Sequence, residues 1–329
     1  LLHYSSLINK KNLLAFSAGI DSSALFFYLM ELDISFDIAI VDYGLRSSAK
    51  AEVSHATSLA QQYNIQIYTA KAPHYDSNFE ANARRFRYNF FEELVDQHSY
   101  DSLLTAHQLN DQLEWFLMRL TKGAGVSELL GLESRSIRKT KNNNSYTLLR
   151  PLLDTSRDEL LQYLDKNSYP YFIDESNRDP KYERNRFRAR FAEPLMSEFV
   201  DGIKRSFKYL QKDKESLLDG ITLIYSQYEL RVYQLRSPSL RVKCADIALK
   251  ELGYLLSAKQ RIEIDENRDI VIGGKWTVVY QDHILYISPF LKTDMSKHYR
   301  ELCRVSSLPS KIRAYCYHKG IRPTDVMSS

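Results

Sequence analysis

The sequence predicts an α/β protein: a doubly wound, mostly parallel sheet, followed by a helical linker and a smaller α+β module. Three observations carry that expectation. Short apolar runs alternate with amphipathic stretches through the first half of the chain, the rhythm of repeated β-α-β units. Residues of unusual chemistry follow the strands, where ligands of parallel sheets gather. Beyond residue 219 the rhythm gives way to closely spaced short strands. In order, strands are expected at 13–16, 37–41, 65–70, 102–105 and 146–149, with helices at 24–30, 49–63, 78–95 and 111–122. The polar stretch 139–145 reads as a mobile hairpin tip. A long helix at 198–218 separates residues 1–197 from the module 219–329, whose strands are expected at 270–274, 276–280 and 284–287.

The first strand, Leu13-Leu14-Ala15-Phe16, runs into Ser17-Ala18-Gly19-Ile20-Asp21-Ser22-Ser23 and then into an apolar helix. Strand, tight turn and helix N-terminus together make an anion site, because unpaired backbone N–H groups and the positive end of the helix dipole point at the turn. Ser17, Ser22 and Ser23 add hydroxyl donors, and Gly19 admits close approach of the backbone to a ligand. No Gly-Lys-Ser/Thr follows, so the loop is not a Walker A motif. Asp21 sets a carboxylate where an anion should sit. That costs energy unless a cation lies between the two, which makes Asp21 a candidate Mg²⁺ ligand. The alternative is an ordinary helix cap.

Further constellations follow later strands. Asp42-Tyr43-Gly44-Leu45-Arg46 is either a plain turn or a lining for adenine and ribose. On the next helix Glu80 is spaced to pair with Arg84, and Arg87 and Tyr88 continue the run. Asp111 and Glu114 share a helix face just after His107, an arrangement suited to a substrate ammonium, a second metal, or merely the acids a helix N-terminus favours. Gly123-Ala124-Gly125 reads as a helix C-terminus, and Asp174, Ser176 and Asn177 as turn and cap formers. Arg184, Arg186, Arg188 and Arg190, interleaved with Phe187 and without acids, suit phosphate recognition on RNA or a polyphosphate.

Taken together, these motifs resemble the PP-loop ATP pyrophosphatases, whose loop reads Ser-Gly-Gly-X-Asp-Ser. Ala18 replaces one of its glycines, at a cost of roughly 1–2 kcal/mol if the backbone there is left-handed. Within that family the stretches at 42–46, 80–88, 105–115 and 150–188 are similar, in unbroken order, to those of the tRNA(Ile)-lysidine synthetases. Tyr43 and Gln108 stand where that branch has His, and Trp115 where it has Thr. The resemblance covers roughly residues 13–195. It implies an adenine nucleotide alpha-hydrolase-like fold and an ATP-dependent ligase forming a carbon–nitrogen bond. Such an enzyme adenylates C2 of the wobble cytidine of CAU-anticodon tRNA(Ile), then attaches free lysine and releases AMP and pyrophosphate. The implied ATP site is Ser17, Ala18, Gly19, Ile20, Asp21, Ser22, Asp42 and Arg84, with Asp21 on Mg²⁺. Asp111 and Glu114 would hold lysine. Asp21, His107 and Asp111 would act in catalysis, and Arg87, Arg184, Arg186, Arg188 and Arg190 would contact tRNA. The rival within the same fold is a tRNA thiolase, which would want cysteines near the loop; the first here is Cys244. A non-catalytic RNA-binding protein of this fold would have no use for Ser17, Gly19, Asp21 and Ser22 together.

Bulk properties narrow the class. Among 329 residues, 44% are apolar and 26% carry charge of both signs, a globular composition. Net charge is +4, so the position of charge matters more than its total. Three widely spaced cysteines without a Cys-X-X-Cys argue against a disulfide scaffold, a zinc knuckle or an iron–sulfur centre. No signal pattern or 18-residue apolar run is present, which predicts a cytoplasmic protein without membrane partners. Oligomeric state stays open, a homodimer included. The basic end (Arg304, Lys311, Arg313, Lys319 and Arg322 against Asp325) suits either tRNA phosphates or a disordered polar tail.

Overall fold

The computed structural model describes residues 4–44, 47–75, 77–172 and 183–327. Contacts divide the chain into two units, Leu1–Gln211 and Lys212–Ser329.

The first unit is built on a six-stranded sheet of β1 (Asn12–Ala15), β2 (Asp37–Asp42), β3 (Ile67–Lys71), β4 (Ser102–Thr105), β5 (Arg135–Lys139) and β6 (Ser145–Leu149). Their order is β3-β2-β1-β4-β6-β5. All neighbours are parallel except the edge strand β5, which pairs antiparallel with β6. The period-two pattern of buried strands explains how both faces are covered. Leu14, Ile38, Ile40, Leu104 and Leu149 face one core, shared with α1 (Ile20–Glu31), α2 (Ser47–Gln62) and α6 (Arg157–Lys166). Their immediate neighbours Leu13, Ala39, Leu103 and Leu148 face the opposite core with α3 (Phe79–His98). Between β4 and β5 lie α4 (Leu109–Leu120) and the single turn α5 (Val126–Leu129). α7 (Glu183–Phe187) leads through a π-helical turn at Arg188–Ala192 into α8 (Glu193–Leu218), and Met196 and Phe207 of α8 pack on Leu109 and Leu113.

Two expectations change here. The edge strand β5 was not foreseen, because Arg-Ser-Ile-Arg-Lys offers one apolar residue and no buried-strand signal. The hairpin tip after it is not free: Asp96 on α3 accepts hydrogen bonds from Thr140 Oγ1 (2.7 Å), Asn142 Nδ2 (2.9 Å) and Asn144 Nδ2 (2.7 Å).

The second unit is an antiparallel sheet of β7 (Ile221–Gln227), β8 (Leu230–Leu235), β9 (Asp269–Ile272), β10 (Trp276–Gln281) and β11 (Ile284–Pro289), in the order β7-β8-β11-β10-β9. Alternation again splits its side chains between two cores. Val278, Tyr280, Leu285 and Ile287 pack with α9 (Arg241–Glu251) and α10 (Ala258–Glu266). Val279 and Tyr286 pack with α11 (Lys297–Val305), α12 (Ser310–Lys319) and α13 (Pro323–Met327). Ile312, Tyr315, Cys316, Ile321 and Val326 are buried there, so the basic C-terminal stretch is an ordered layer and not a polar tail. Cys244, Cys303 and Cys316 are all buried and free. Among the described residues no helix is long and apolar enough to cross a membrane.

Candidate active site

A cavity of about 430 Å³ opens at the carboxyl ends of β1, β2 and β4 in the first unit. Its floor is the loop 17–22. Ser17 Oγ and Ser22 Oγ lie 3.1 Å apart, Ser17 N–H donates to Ser22 Oγ (3.2 Å), and Ser22 Oγ donates to the Gly19 carbonyl (3.2 Å). The loop is tied down by Phe172, whose N–H donates to the Ala18 carbonyl at 2.8 Å. The left-handed residue of the turn is Ala18 (φ 58°), whereas Gly19 is extended (φ −75°, ψ 170°). Conformational demand therefore falls one position before the glycine.

Gly19 caps α1 with no side-chain hydrogen bond, and Asp21 lies inside the first turn, so Asp21 is not the helix cap. Its Oδ1 is buried without a hydrogen-bond partner. Burial, reinforced by Asp111, pushes its pKa up to about 7 against the pull of Arg157 and Arg188. A carboxylate oxygen left unsatisfied beside an anion loop fits a divalent cation. Among the described residues no three His, Cys, Asp or Glu side chains converge on a metal position. That donor set fits Mg²⁺, which is usually held by one or two carboxylates, phosphate oxygens and water.

The wall opposite comes from α4. Asp111 Oδ2 accepts from Gln108 N–H (3.0 Å), and Gln108 Oε1 accepts from Asn110 N–H (2.6 Å), a side-chain cap of the helix start. Asp111 Oδ1 and both oxygens of Glu114 are taken by arginines. Arg184 bonds Asp111 and, through Nε, Glu114 Oε2 (2.7 Å); Arg188 Nε bonds Glu114 Oε1 (2.5 Å). Burial would raise the Asp111 pKa, but Arg184, the Gln108 N–H and Arg188 hold it below its usual range. His107 Nδ1 lies 3.0 Å from Thr105 Oγ1. Burial, opposed by Asp111 but aided by Arg150, Arg184 and Arg87, pushes its pKa down to about 3, so the imidazole is neutral at physiological pH.

The four arginines expected as one basic patch thus divide. Arg184 and Arg188, one helical turn apart, face the acids; Arg186 and Arg190 are exposed, and Arg190 lies over the Phe191 ring at 5.6 Å. Helix α3 also differs from expectation. Arg84 makes no ion pair with Glu80 among the described residues but stacks on Tyr88, 4.9 Å from the ring centroid. Arg87, expected on tRNA, lines the cavity, and Arg84, expected on ATP, does not. Asp42 reaches the cavity and accepts from Gly44 N–H (2.7 Å), with Gly44 left-handed at φ 64°. Leu45, Arg46, Asp174, Ser176 and Asn177 lie outside the described residues. The 123–125 turn ends α4, with Gly123 at φ 72°. Sequence reading gave no role to Arg157 and Phe172, both in the cavity wall. Arg157 falls in the 150–188 stretch of the family resemblance, at the start of α6, which the Ser156 Oγ caps.

A family model described as a PP-loop domain matches residues 3–195. The tRNA(Ile)-lysidine synthase of Wolinella succinogenes is 41% identical over 312 residues, covering 94% of each chain. The chain belongs to the tRNA(Ile)-lysidine synthase family. The Helicobacter hepaticus member is 38% identical over 94% of this chain and 82% of its own, and a Campylobacter jejuni member 41% over 94% of each. A solved U34-tRNA thiolase from Methanococcus maripaludis has a TM-score of 0.50 over 62% of this chain and 73% of its own. At 17% identity it shares the fold alone, which leaves the thiolase alternative without support. As a lysidine synthase family member the chain is an ATP-dependent ligase with a PP-loop ATP-binding domain. Two departures from the family motif acquire structural reasons. Gln108, in place of a His, caps α4, and Trp115, in place of a Thr, donates from Nε1 to the Glu128 carbonyl (2.8 Å).

Proposed function

We propose that the cavity forms lysidine. The C2 carbonyl oxygen of the wobble cytidine of CAU-anticodon tRNA(Ile) attacks the α-phosphorus of ATP, and pyrophosphate leaves. The ε-amine of free lysine then attacks C2 and AMP departs. The observation that carries this reading is the partnerless Asp21 carboxylate beside the serine loop, in one cavity with the α4 acids.

Ser17, Ser22 and the first backbone N–H groups of α1 hold the departing pyrophosphate, helped by the helix dipole, with Ala18, Gly19 and Ile20 supplying the loop backbone. Mg²⁺, held by Asp21, would neutralise charge as it grows on the leaving group. Asp42 borders the nucleoside end, and Arg87 and Arg157 flank the phosphates. Asp111 and Glu114 take the lysine ammonium. Both acids are already neutralised by guanidinium groups, so lysine enters by exchanging one cation for another, which avoids the cost of an unpaired buried charge. The amine, with a reference pKa of about 10.4, must lose a proton before it attacks. His107, neutral in the wall with its pKa pushed down to about 3, can relay that proton onward but is too weak a base to keep it. Arg186 and Arg190 face the RNA. Residues 1–197 act as the catalytic domain, 198–218 as its connecting helix and 219–329 as the tRNA-binding module; work on tRNA supports a cytoplasmic location.

The test is incubation with ATP, Mg²⁺, labelled lysine and tRNA(Ile) bearing a CAU anticodon, followed by nucleoside analysis. Label in a modified cytidine, with equal AMP and pyrophosphate, is expected. AMP release without label in the nucleoside overturns the reading.

A further inference from the structure

Beside the cavity, three arginines gather on Tyr88. Arg84 and Arg138 lie 4.9 and 5.1 Å from its ring centroid, and Arg150 adjoins its hydroxyl. They reach it from separate elements: Arg84 from α3, Arg138 from the edge strand β5, and Arg150 from the carboxyl end of β6. None is ion-paired to a carboxylate among the described residues; Glu92 accepts from the hydroxyl of Tyr146, which also meets Arg138. Arg150 is 4% exposed. One of its terminal nitrogens donates to the Glu133 carbonyl (2.5 Å) and the guanidinium meets the Tyr88 hydroxyl, neutral partners that leave its charge unanswered, while its Nε is buried with no partner of its own.

Three guanidinium groups around one ring repel one another, and a buried cation without a counter-charge is costly. Cation–π contact with one ring offsets only part of that cost. A cluster so placed is completed by an anion. Arg150 is also close enough to His107 to depress its pKa, so the cluster adjoins the wall where the nucleobase would react.

We propose that Arg84, Arg138 and Arg150 around Tyr88 form a second anion site, separate from the pyrophosphate loop, that takes a phosphodiester of the RNA and so sets the target nucleotide against the cavity. This rests on the lysidine-forming reading for the identity of the RNA. Planar guanidinium forks suit bidentate phosphate contact, and exposure falls from Arg84 (open) through Arg138 (half-buried) to Arg150 (buried), so a phosphate arriving from solvent meets Arg84 and Arg138 first.

Binding of CAU-anticodon tRNA(Ile) to the full chain is measured without ATP or lysine, between 50 and 200 mM salt, for wild type, Arg138→Gln, Arg138→Lys, Arg150→Gln and Arg150→Lys. Losing one phosphate contact is expected to weaken binding about 5–20-fold at low salt and to shallow the log–log salt slope by about 0.7–0.9. The Lys variants are expected to keep the slope, and the ATP KM of Arg138→Gln to stay within about twofold of wild type. Arg138 is half-buried, so its variants read the site even if Arg150→Gln fails to fold. Unchanged tRNA affinity and slope in Arg138→Gln would overturn the proposal, as would a rise in ATP KM alone, which would make the anion the nucleotide. No chemistry is needed for this readout, so it stands apart from whether lysidine forms.

Discussion

A left-handed alanine in a ligand loop is tolerated when opposing terms nearly cancel, and at Ala18 they do. Gly there would relieve roughly 1–2 kcal/mol of backbone strain. It would lose a fully buried methyl worth about 0.8 kcal/mol and loosen the unfolded chain by about 0.4–1 kcal/mol. Ala18→Gly should therefore shift unfolding free energy by less than about 1 kcal/mol in a denaturant titration; a gain above about 2 kcal/mol would mean the strain dominates. Asp21 carries the opposite kind of imbalance. Its folded pKa, about 7, lies above its unfolded value, so the native state holds a proton that the unfolded chain has already released. Stability linked to Asp21 is complete below about pH 4, falls as pH rises, and is lost above about pH 7. Asp21→Asn should remove that loss: its melting advantage over wild type should be absent near pH 4, grow to pH 7 and then level off. Glu114 is 1% exposed and held by two guanidinium groups. Glu114→Gln leaves both arginines short of charge and should cost about 3 kcal/mol, towards the low end for a broken buried pair because Arg184 is 39% exposed. Lysine KM should rise further than ATP KM in the same variant.

Among elements, the β5–β6 hairpin shows how a polar segment is fixed by a partner far along the chain. Asp96→Ala removes the acceptor for Thr140, Asn142 and Asn144 together. Hydrogen exchange at the amides of 140–144 should accelerate while that of β6 stays protected; equal protection in the variant would show that the turn holds itself. The same hairpin marks where sequence legibility stops. Helices with apolar stripes and strands such as 102–105 announce themselves by period, and the serine loop, Asp42 and the His107–Glu114 stretch by their order after strands. Edge strands β5 and β7 bury no residue fully, so neither shows the apolar–polar alternation of a half-buried strand, and β5, with a single apolar residue, lacks strand-forming composition as well. Nor does spacing reveal which cation an acid will meet. Arg184 and Arg188 lie 70 or more positions from Asp111 and Glu114, and only the folded chain shows that the basic run is half spent on its own acids. On α3, i,i+4 geometry offered Arg84 both Glu80 and Tyr88, and the aromatic face won.

At the scale of the whole molecule, each unit has its own cores, so ligand and stability need not be shared evenly. ATP with Mg²⁺ at a hundred times its Kd should stabilise the first unit by about 2.7 kcal/mol. Limited proteolysis should show residues 4–211 protected by nucleotide, with cleavage after 219 unchanged. Equal protection of both would couple the units energetically. The second unit's architecture was only half legible: the strands between 270 and 287 stood out, but β7 and β8 did not, and the helical layer after 297 hides its apolar face among basic residues.

All three thiols of the chain lie in the second unit, Cys244 against one face of its sheet and Cys303 and Cys316 against the other, each with a pKa raised by burial. A maleimide or disulfide reagent will therefore stay silent at neutral pH until that unit opens. The native protein thus carries a built-in chemical clock for one half of itself: modification timed residue by residue would tell whether the two layers of the antiparallel sheet part together or one after the other.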